Sequence, residues 1–166
     1  MSERSVGLIV LTEIPGMGIC AVLRERGYFN FEKMQPESWP GACQVTAHGK
    51  LEGGERFYLA IHREVEEELG EKFARIFLTS SPFEVLRLQK KNKEIVIFAI
   101  KIDHTFLIAI RLEPGSGTLR FLQKHKVDDI VDVTSFNKTE GIPDRKTVAM
   151  FPDEKEAVVK AFALFS

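Results

Sequence analysis

The segment REVEEELGE, residues 63–71, places five glutamates within nine residues, next to one arginine. On a helix, where successive side chains are ~100° apart, Glu64, Glu67 and Glu68 leave one side and Glu66 points away from them. Like charges at this spacing destabilise a helix, and the predicted helix contains no lysine to offset them. A solvated acidic face is one interpretation of this pattern. The other is a set of ligands for a hard divalent cation such as Mg²⁺, which prefers carboxylate oxygens.

The residues before this segment favour the cation-binding interpretation. HGKLEGGE, residues 48–55, contains three glycines and two further glutamates directly ahead of the predicted helix. Glycines allow a tight loop whose backbone can approach a ligand, and the N-terminus of a helix attracts anions such as phosphate. The GxxxxGK[ST] pattern of a Walker loop is absent from the chain. The sequence therefore predicts an acidic site beside a glycine-containing loop.

Taken together, residues 49–71 resemble the Nudix box, Gx5Ex7REUxEExGU, in which U is a bulky aliphatic residue. Gly49 is followed after five residues by Glu55, and seven further residues lead to the Arg-Glu pair that begins REVEEELG. Every fixed position matches except the final U, where this sequence has Glu71. That departure concerns local packing more than chemistry.

The Nudix resemblance implies an α/β fold, an α/β/α sandwich around a mixed β-sheet, with residues 1–166 forming a single Nudix hydrolase domain. Length and composition agree with one globular domain, because 166 residues can bury a core and the chain is 44% hydrophobic and 28% charged. We see no internal repeat, low-complexity tract or linker.

The predicted elements follow the family's order along most of the chain. Apolar runs predict strands over 5–11, 18–24, 42–51, 83–88, 94–102, 118–123 and 128–133, with an irregular aromatic loop over 28–41. A helix over 55–69 is expected to turn Tyr58, Ile61, Val65 and Leu69 to the core and to end at Gly70. A second amphipathic helix is predicted over 152–165. Residues 104–114 fit a strand or a helix that is capped by Asp103 and stopped by Pro114.

The resemblance implies a pyrophosphohydrolase, an enzyme that cleaves a nucleoside diphosphate linked to another moiety by water attack on phosphorus. Glu64, Glu67 and Glu68 would bind Mg²⁺ or Mn²⁺, which would neutralise the phosphates and activate water. Glu55 would complete the acidic site, and Arg63 would hold a carboxylate of the box in place. The implied catalytic set is therefore Glu55, Arg63, Glu64 and Glu68.

The general base is left open by the resemblance, because family members take it from different positions. Glu64 and Glu68 are candidates within the box. An acid from a later loop is the alternative. Candidates include Glu94, Glu113, Asp128 and Asp129, although a plain surface charge is the favoured interpretation for each of them.

The expected partner is a small-molecule diphosphate, and four residues are candidates for contacting it. Arg24 and Arg26 are placed to meet phosphates, although a plain surface role fits them equally. Gly49 is expected to shape the loop. Trp39 would stack on a flat group or, as the favoured interpretation, pack at the rim of the core.

Two alternative functions stay open at this point. WPGACQVTAHG, residues 39–49, also resembles the segment before the box in isopentenyl-diphosphate isomerases, which use a cysteine there; Cys43 is displaced from that position, which disfavours this chemistry. A non-catalytic Nudix module that binds a nucleotide is the other alternative. Such a module would be expected to lose box glutamates, and this chain keeps them.

Charge and cysteine content exclude other classes of function. A net charge of −1 argues against bulk nucleic-acid binding, and no apolar run approaches the ~20 residues of a membrane span. Cys20 and Cys43 lack the spacing of a metal site and are expected to be buried free thiols. We therefore expect a cytoplasmic protein without membrane contact. A homodimer is possible, since dimers are frequent in families that resemble this chain.

Overall fold

A computed structural model describes residues 3–165, which form eleven strands and three α-helices. In chain order, these are β1 (Glu3–Ile14), β2 (Gly18–Glu25), β3 (Phe29–Asn30), β4 (Gln35–Pro36), β5 (Cys43–Gln44), β6 (Ala47–Lys50), α1 (Phe57–Leu69), α2 (Glu71–Thr79), β7 (Phe83–Lys90), β8 (Lys93–Asp103), β9 (Leu119–Gln123), β10 (Val131–Asp132), β11 (Ala149–Met150) and α3 (Pro152–Phe165). Short 3₁₀ segments cover His104–Ala109, Lys124–Asp129 and Val133–Ser135.

The sheet is organised around β1, a strand in which apolar residues are continuous rather than alternating with polar ones. β1 pairs in parallel with β8 from Glu3 to Glu13 and antiparallel with β2. β7 extends the sheet antiparallel to β8, and β9 extends it antiparallel to β2. A strand with an unbroken apolar run is suited to the centre of a sheet that is covered on both faces.

Both faces of this sheet are covered by helices. Leu8 and Val10 of β1 pack in one core with α1 and α2, whereas the alternate residues Ile9 and Leu11 pack in a second core with α3. Because neighbouring side chains of a strand point to opposite faces, one strand contributes to both cores. The architecture is three layered, and the predicted α/β/α sandwich with a mixed sheet is confirmed.

The sheet opens between β1 and β2, and a wedge of chain enters the gap. β1 and β2 pair as far as Val10 and Val22, beyond which β1 pairs with β6 and β2 pairs with β5. Thr46, fully buried between β5 and β6, stands at the fork. Its hydroxyl accepts a hydrogen bond from the backbone N–H of Val10 (2.9 Å) and donates one to the carbonyl oxygen of Val22 (2.5 Å). We call residues 43–50 the wedge; it brings polar side chains from the middle of the sheet to α1.

Most predicted strands and both predicted helices are confirmed, with local corrections. The strand predicted over 42–51 is interrupted at residues 45 and 46, because the wedge changes its pairing partner there. The strand predicted over 128–133 is wrong over most of its length: a 3₁₀ segment covers Lys124–Asp129, and only Val131–Asp132 pairs as a strand. Part of the predicted loop over 28–41 forms the two short strands β3 and β4.

The helical region contains one correction and one omission. Tyr58, predicted to face the core, is 41% exposed and stacks on Phe77 at the rim. Gly70 ends α1 as predicted, with φ 95°, and α2 begins at the next residue. The sequence interpretation did not include α2, although Phe73, Ala74 and Phe77 are spaced as one helical face and are buried.

Residues 104–114 follow the helical alternative only in their first part. His104–Ala109 is a 3₁₀ segment, and the Asp103 side chain accepts a hydrogen bond from Thr105 N as the predicted cap. None of the helices described here is long and apolar enough to cross a membrane.

The two cysteines are buried free thiols, as predicted. Cys20 and Cys43 are 0% and 2% exposed. Burial raises the pKa of Cys43 to about 11, a change that the nearby Arg120 partly opposes. The Cys43 thiol is therefore protonated and inert at neutral pH.

The hydrogen bonds of Thr46 predict that replacing threonine by valine changes the free energy of unfolding differently at two buried positions. Thr46→Val would leave Val10 N–H and Val22 C=O without the hydroxyl, and we expect it to lower the free energy of unfolding by about 1–3 kcal/mol. Thr12, also fully buried in β1, finds no hydrogen-bond partner for its hydroxyl within residues 3–165, so Thr12→Val should be neutral or stabilising. Urea unfolding of both variants measures the difference. Equal losses at the two positions would contradict the role given to Thr46.

Candidate active site

A tight turn between the wedge and α1 aims Glu55 at the helix that follows. Glu55 N donates to Glu52 O (3.1 Å), and Glu52 N donates to the Glu55 carboxylate (3.1 Å). Gly53 lies in the turn with φ 55°, a conformation that glycine adopts without strain. The turn therefore holds the Glu55 carboxylate at the start of α1.

Arg63, on the second turn of α1, joins the two ends of the candidate site. Its guanidinium meets both oxygens of Glu55 at 3.0 Å, and its Nη1 donates to Glu64 at 2.7 Å. Nη2 also donates to the backbone carbonyl of Lys50 (3.0 Å), and Glu67 lies at 3.5 Å from Nη1. Arginine suits this position because its planar fork can bind one carboxylate with two hydrogen bonds and still reach a second. The predicted pairing of Arg63 with box carboxylates is present in the structure.

Gly49 makes room for the carboxylate of Glu64. A Cβ atom on Gly49 would lie 2.1–2.4 Å from the carboxyl carbon and both oxygens of Glu64. The need for glycine at this position is steric, since φ of Gly49 is not in the left-handed region. Glu64 is only 9% exposed and lies between β6 and the guanidinium of Arg63. The spacing of Gly49 and Glu64 in the sequence thus corresponds to a direct contact in space.

Glu68 is held by a second arginine that comes from β2. Arg24 Nη2 donates to Glu68 Oε2 (2.7 Å), and the backbone N–H of His48 donates to Glu68 Oε1 (2.7 Å). With its amide oxygen toward Arg24, Gln44 accepts hydrogen bonds from Arg24 Nη2 (2.7 Å) and Nε (3.1 Å) and donates to His48 Nε2 (2.7 Å). Burial, reinforced by the nearby arginines, lowers the pKa of His48 to about 4, so the ring is neutral and its Nε2 can accept this hydrogen bond.

The three box carboxylates act on one another electrostatically. Burial and, after it, the charge of Glu68 raise the pKa of Glu64 to about 7, against the opposing effect of Arg63. Burial also raises the pKa of Glu68, against the effect of Arg24. Glu67 is about half exposed and adds to the negative field at Glu64. The face predicted to bind a cation is therefore a place where negative charge is costly.

The donor set agrees in kind with a hard divalent cation. Glu64, Glu67 and Glu68 offer only carboxylate oxygens, which Mg²⁺ and Mn²⁺ prefer. Their arrangement is closed by arginines, and within residues 3–165 no three His, Cys, Asp or Glu side chains converge on one metal position. The residues present fit the ion by chemistry, and a metal would have to share these carboxylates with Arg63 and Arg24 or replace the arginines.

The remaining predicted residues lie at or beyond the edge of this site. Glu66 is exposed, and Glu71 pairs with Arg75 on the surface of α2 at 2.6 Å. Arg26 donates to the carbonyl oxygen of Ser38 (2.9 Å). The indole N–H of Trp39 donates to Phe136 O (3.1 Å), and its ring meets Phe151 edge-on. Trp39 therefore packs as the favoured interpretation had it, and substrate contact by Trp39 or Arg26 stays a prediction.

Among the later acids considered, Glu113 is linked to the box carboxylates by two observations. Arg111, two residues before it, donates its backbone N–H to Leu69 O at the end of α1 (2.8 Å). Partial desolvation at the protein surface and, after it, the charge of Glu68 raise the pKa of Glu113. Glu94 is instead 3.6 Å from both Arg4 and Arg87.

Gln44 is the site residue that the sequence interpretation gave no role. It is 8% exposed, in the buried stretch ACQVTA, where the other residues are small or apolar. A polar side chain at a buried strand position needs a hydrogen-bond partner, and that requirement is the signal that marks it in the sequence.

The contact between Gly49 and Glu64 predicts a site-specific effect of adding one methyl group. Gly49→Ala would force the Glu64 carboxylate away from β6 and disrupt its contact with Arg63, and we expect a loss of about 1–3 kcal/mol in the free energy of unfolding. Gly54→Ala is the matched control, because a Cβ there meets nothing within 4 Å. Thermal unfolding of the two variants checks this. A Gly49→Ala protein as stable as Gly54→Ala would show that Glu64 is not confined.

Comparison with solved structures supports the fold. The chain resembles a mutT/nudix family protein from Listeria innocua (15% identity, TM-score 0.61, 98% of this chain and 93% of that chain). It also resembles the NUDIX domain of Shewanella oneidensis NrtR complexed with ADP ribose (9%, 0.62, 100% and 90%) and the C. elegans Ap4A hydrolase (13%, 0.55, 100% and 100%). No protein-family model matches the sequence, and no curated protein sequence matches it. At these identities the likeness establishes architecture, and the chain has the Nudix fold.

Proposed function

We propose that this protein is a metal-dependent hydrolase that cleaves a diphosphate linkage in a nucleoside diphosphate joined to another moiety. The observation that carries the proposal is the double clamp of Arg63 on Glu55 and Glu64, with Glu64 set against Gly49. These residues match the Nudix pattern by spacing, and the fold is that of Nudix proteins.

Glu64, Glu67 and Glu68 would hold Mg²⁺ or Mn²⁺. Such an ion neutralises charge on a diphosphate and lowers the pKa of bound water. Arg63 keeps Glu64 in place through its hydrogen bond of 2.7 Å, and Glu55 in turn fixes Arg63. Glu55 and Arg63 are thus assigned to positioning, and the three other glutamates to binding.

Glu113 is our choice for the proton acceptor from a later loop. It lies in the segment 111–117, which is held at both ends by backbone hydrogen bonds. Arg111 N donates to Leu69 O at the end of α1, and Gly117 N donates to Glu25 O in β2 (3.0 Å). Its side chain is exposed, so water can reach it. Glu94 is less suited because it lies between two arginines.

Two solved structures support a proposal for the substrate class, and the state of Cys43 bears on the type of reaction. The NrtR domain is described as complexed with ADP ribose and the C. elegans protein as an Ap4A hydrolase, which favours a nucleotide-derived small molecule. An isomerase that uses a cysteine near the box is disfavoured, since Cys43 is 2% exposed and its pKa is raised to about 11. Binding of a nucleotide without turnover is the competing function, and it is tested by the same experiment.

The test is a panel of diphosphates incubated with the protein in Mg²⁺ or Mn²⁺. ADP-ribose, diadenosine tetraphosphate, nucleoside triphosphates and nucleotide sugars are suitable members, with chromatographic detection of the released nucleotide. Hydrolysis of at least one member that stops when the metal is chelated is the expected result. Binding of a panel member by calorimetry, with no product from any, would favour the non-catalytic module.

Substitution along α1 separates the assigned carboxylates from their neighbour. We expect Glu67→Gln and Glu68→Gln each to lower turnover by roughly 10²–10³-fold, the scale found when one electrostatic stabiliser is removed. Glu66→Gln is the matched control, because Glu66 is exposed on the same helix, and turnover should change less than about twofold. Steady-state kinetics on the best panel substrate measures this. Full activity in Glu67→Gln or Glu68→Gln would rule out that residue as a metal ligand.

Glu113→Gln tests the assignment of the proton acceptor. We expect kcat to fall about 10²-fold, the usual contribution of general base catalysis, with the KM little changed. Glu94→Gln is the control and should keep kcat within about twofold, since its contacts are with Arg4 and Arg87. Unaltered kcat in Glu113→Gln would return the role of the base to the box.

A further inference from the structure

Arg24 is a buried cation whose Nε and Nη2 donate hydrogen bonds to two side chains, those of Gln44 and Glu68. It is 4% exposed at the end of β2. Gln44, on the wedge, accepts hydrogen bonds from its Nε and Nη2. Glu68, on α1, accepts one from Nη2 at 2.7 Å. Of these two partners, Gln44 is neutral, so the positive charge of Arg24 is compensated by Glu68.

Glu68 is the outer member of this pair. Its side chain is 15% exposed, compared with 5% for that of Arg24. Its other oxygen accepts from the backbone N–H of His48 at 2.7 Å, so both oxygens are used within the protein. A soluble anion therefore meets Glu68 before it can reach Arg24, and the carboxylate repels it.

The neighbours of Arg24 on its inner side provide a fixed support. Gln44 belongs to β5, whose backbone pairs with β2 at Arg24 itself, and its amide also bonds to the neutral ring of His48. A shift of the Glu68 side chain would leave Arg24 attached to Gln44 and facing the site. Arginine in this situation binds phosphate well, because its planar fork matches phosphate oxygens.

We propose that Glu68 masks Arg24, and that Arg24 becomes a diphosphate-binding residue only when Glu68 turns to a divalent cation. The inference rests on the proposed function, since it uses Glu68 as a metal ligand, and it adds an order of events: cation first, diphosphate second. Arg24 and Glu68 thereby link the two binding steps, because the same carboxylate cannot fully satisfy both the arginine and the ion.

The masking can be tested without any metal. Glu68→Gln breaks the ion pair, so in buffer stripped of divalent cations we expect it to bind methylenediphosphonate, a non-hydrolysable diphosphate, about tenfold tighter than Glu67→Gln does. Glu67→Gln is the matched control, because it removes the same charge one residue away and Glu67 contacts Arg63 rather than Arg24. The gain should disappear when Arg24→Gln is added to Glu68→Gln. Calorimetry measures the affinities, and circular dichroism verifies folding.

Equal affinities of Glu68→Gln and Glu67→Gln would overturn the inference. A gain that persists in the Arg24→Gln, Glu68→Gln double variant would overturn it as well. Neither result touches the proposed hydrolysis, which is measured separately with metal and substrate.

A second measurement covers the case in which Glu68→Gln does not fold. Arg24→Gln removes the competitor for Glu68, so we expect Mn²⁺, followed by electron paramagnetic resonance, to bind severalfold more tightly than to the wild-type protein. Arg75→Gln removes one positive charge from an exposed pair with Glu71 and should leave Mn²⁺ affinity unchanged. Unchanged or weaker Mn²⁺ binding in Arg24→Gln would overturn the inference alone. A wild-type protein that binds no Mn²⁺ would overturn both the inference and the proposed metal site.

Discussion

The candidate site depends on the need to compensate three carboxylates that share one face of a partly buried helix. Glu64, Glu67 and Glu68 raise one another's electrostatic energy, and burial raises the cost for Glu64 and Glu68. Two arginines compensate the negative charge. Arg63 comes from the helix itself and contacts Glu64, and Arg24 comes from β2 and contacts Glu68. Glu64 and Glu68 are thereby fixed in position, whereas Glu67 stays about half exposed. A site built in this way stays folded as described and still contains charge that a cation could bind.

The fork in the sheet explains how the second arginine reaches the helix. A regular sheet would keep β1 and β2 paired along their length and would leave no space for the wedge. Thr46 replaces the missing strand contact at the point of separation, with hydrogen bonds to both strands. The wedge then places Gln44 beside Arg24 and Gly49 beside Glu64. A single buried hydroxyl in the middle of the sheet thus supports the geometry of the site at its edge.

The sequence interpretation succeeded where a pattern has a local physical cause. Helical spacing predicted α1 and α3, apolar runs predicted the strands that became β1, β2, β7 and β8, and Gly70 ended α1 as expected. It failed over most of the strand predicted at 128–133, where Asp128 and Asp129 end a 3₁₀ segment and only Val131–Asp132 pairs as a strand. Tyr58 was placed in the core because it shares the stripe of Ile61, yet α1 begins only at Phe57 and its first turn lies at the rim.

By itself, the sequence determined the spacing of the acidic residues on α1 and the positions of α1, α3 and most strands, because these follow from short-range periodicity. The importance of Gly49 and Glu55 ahead of the helix followed from the resemblance to the Nudix box. Only the tertiary structure decided that Glu55 and Glu64 share Arg63, that Gly49 receives the Glu64 carboxylate, and that Arg24 lies behind Glu68. Arg24 and Glu68 are 44 residues apart in the chain. The fork in the sheet brings the wedge residues Gln44 and His48 next to this pair. Contacts between residues that distant arise from strand pairing and core packing, which no local pattern in the sequence specifies.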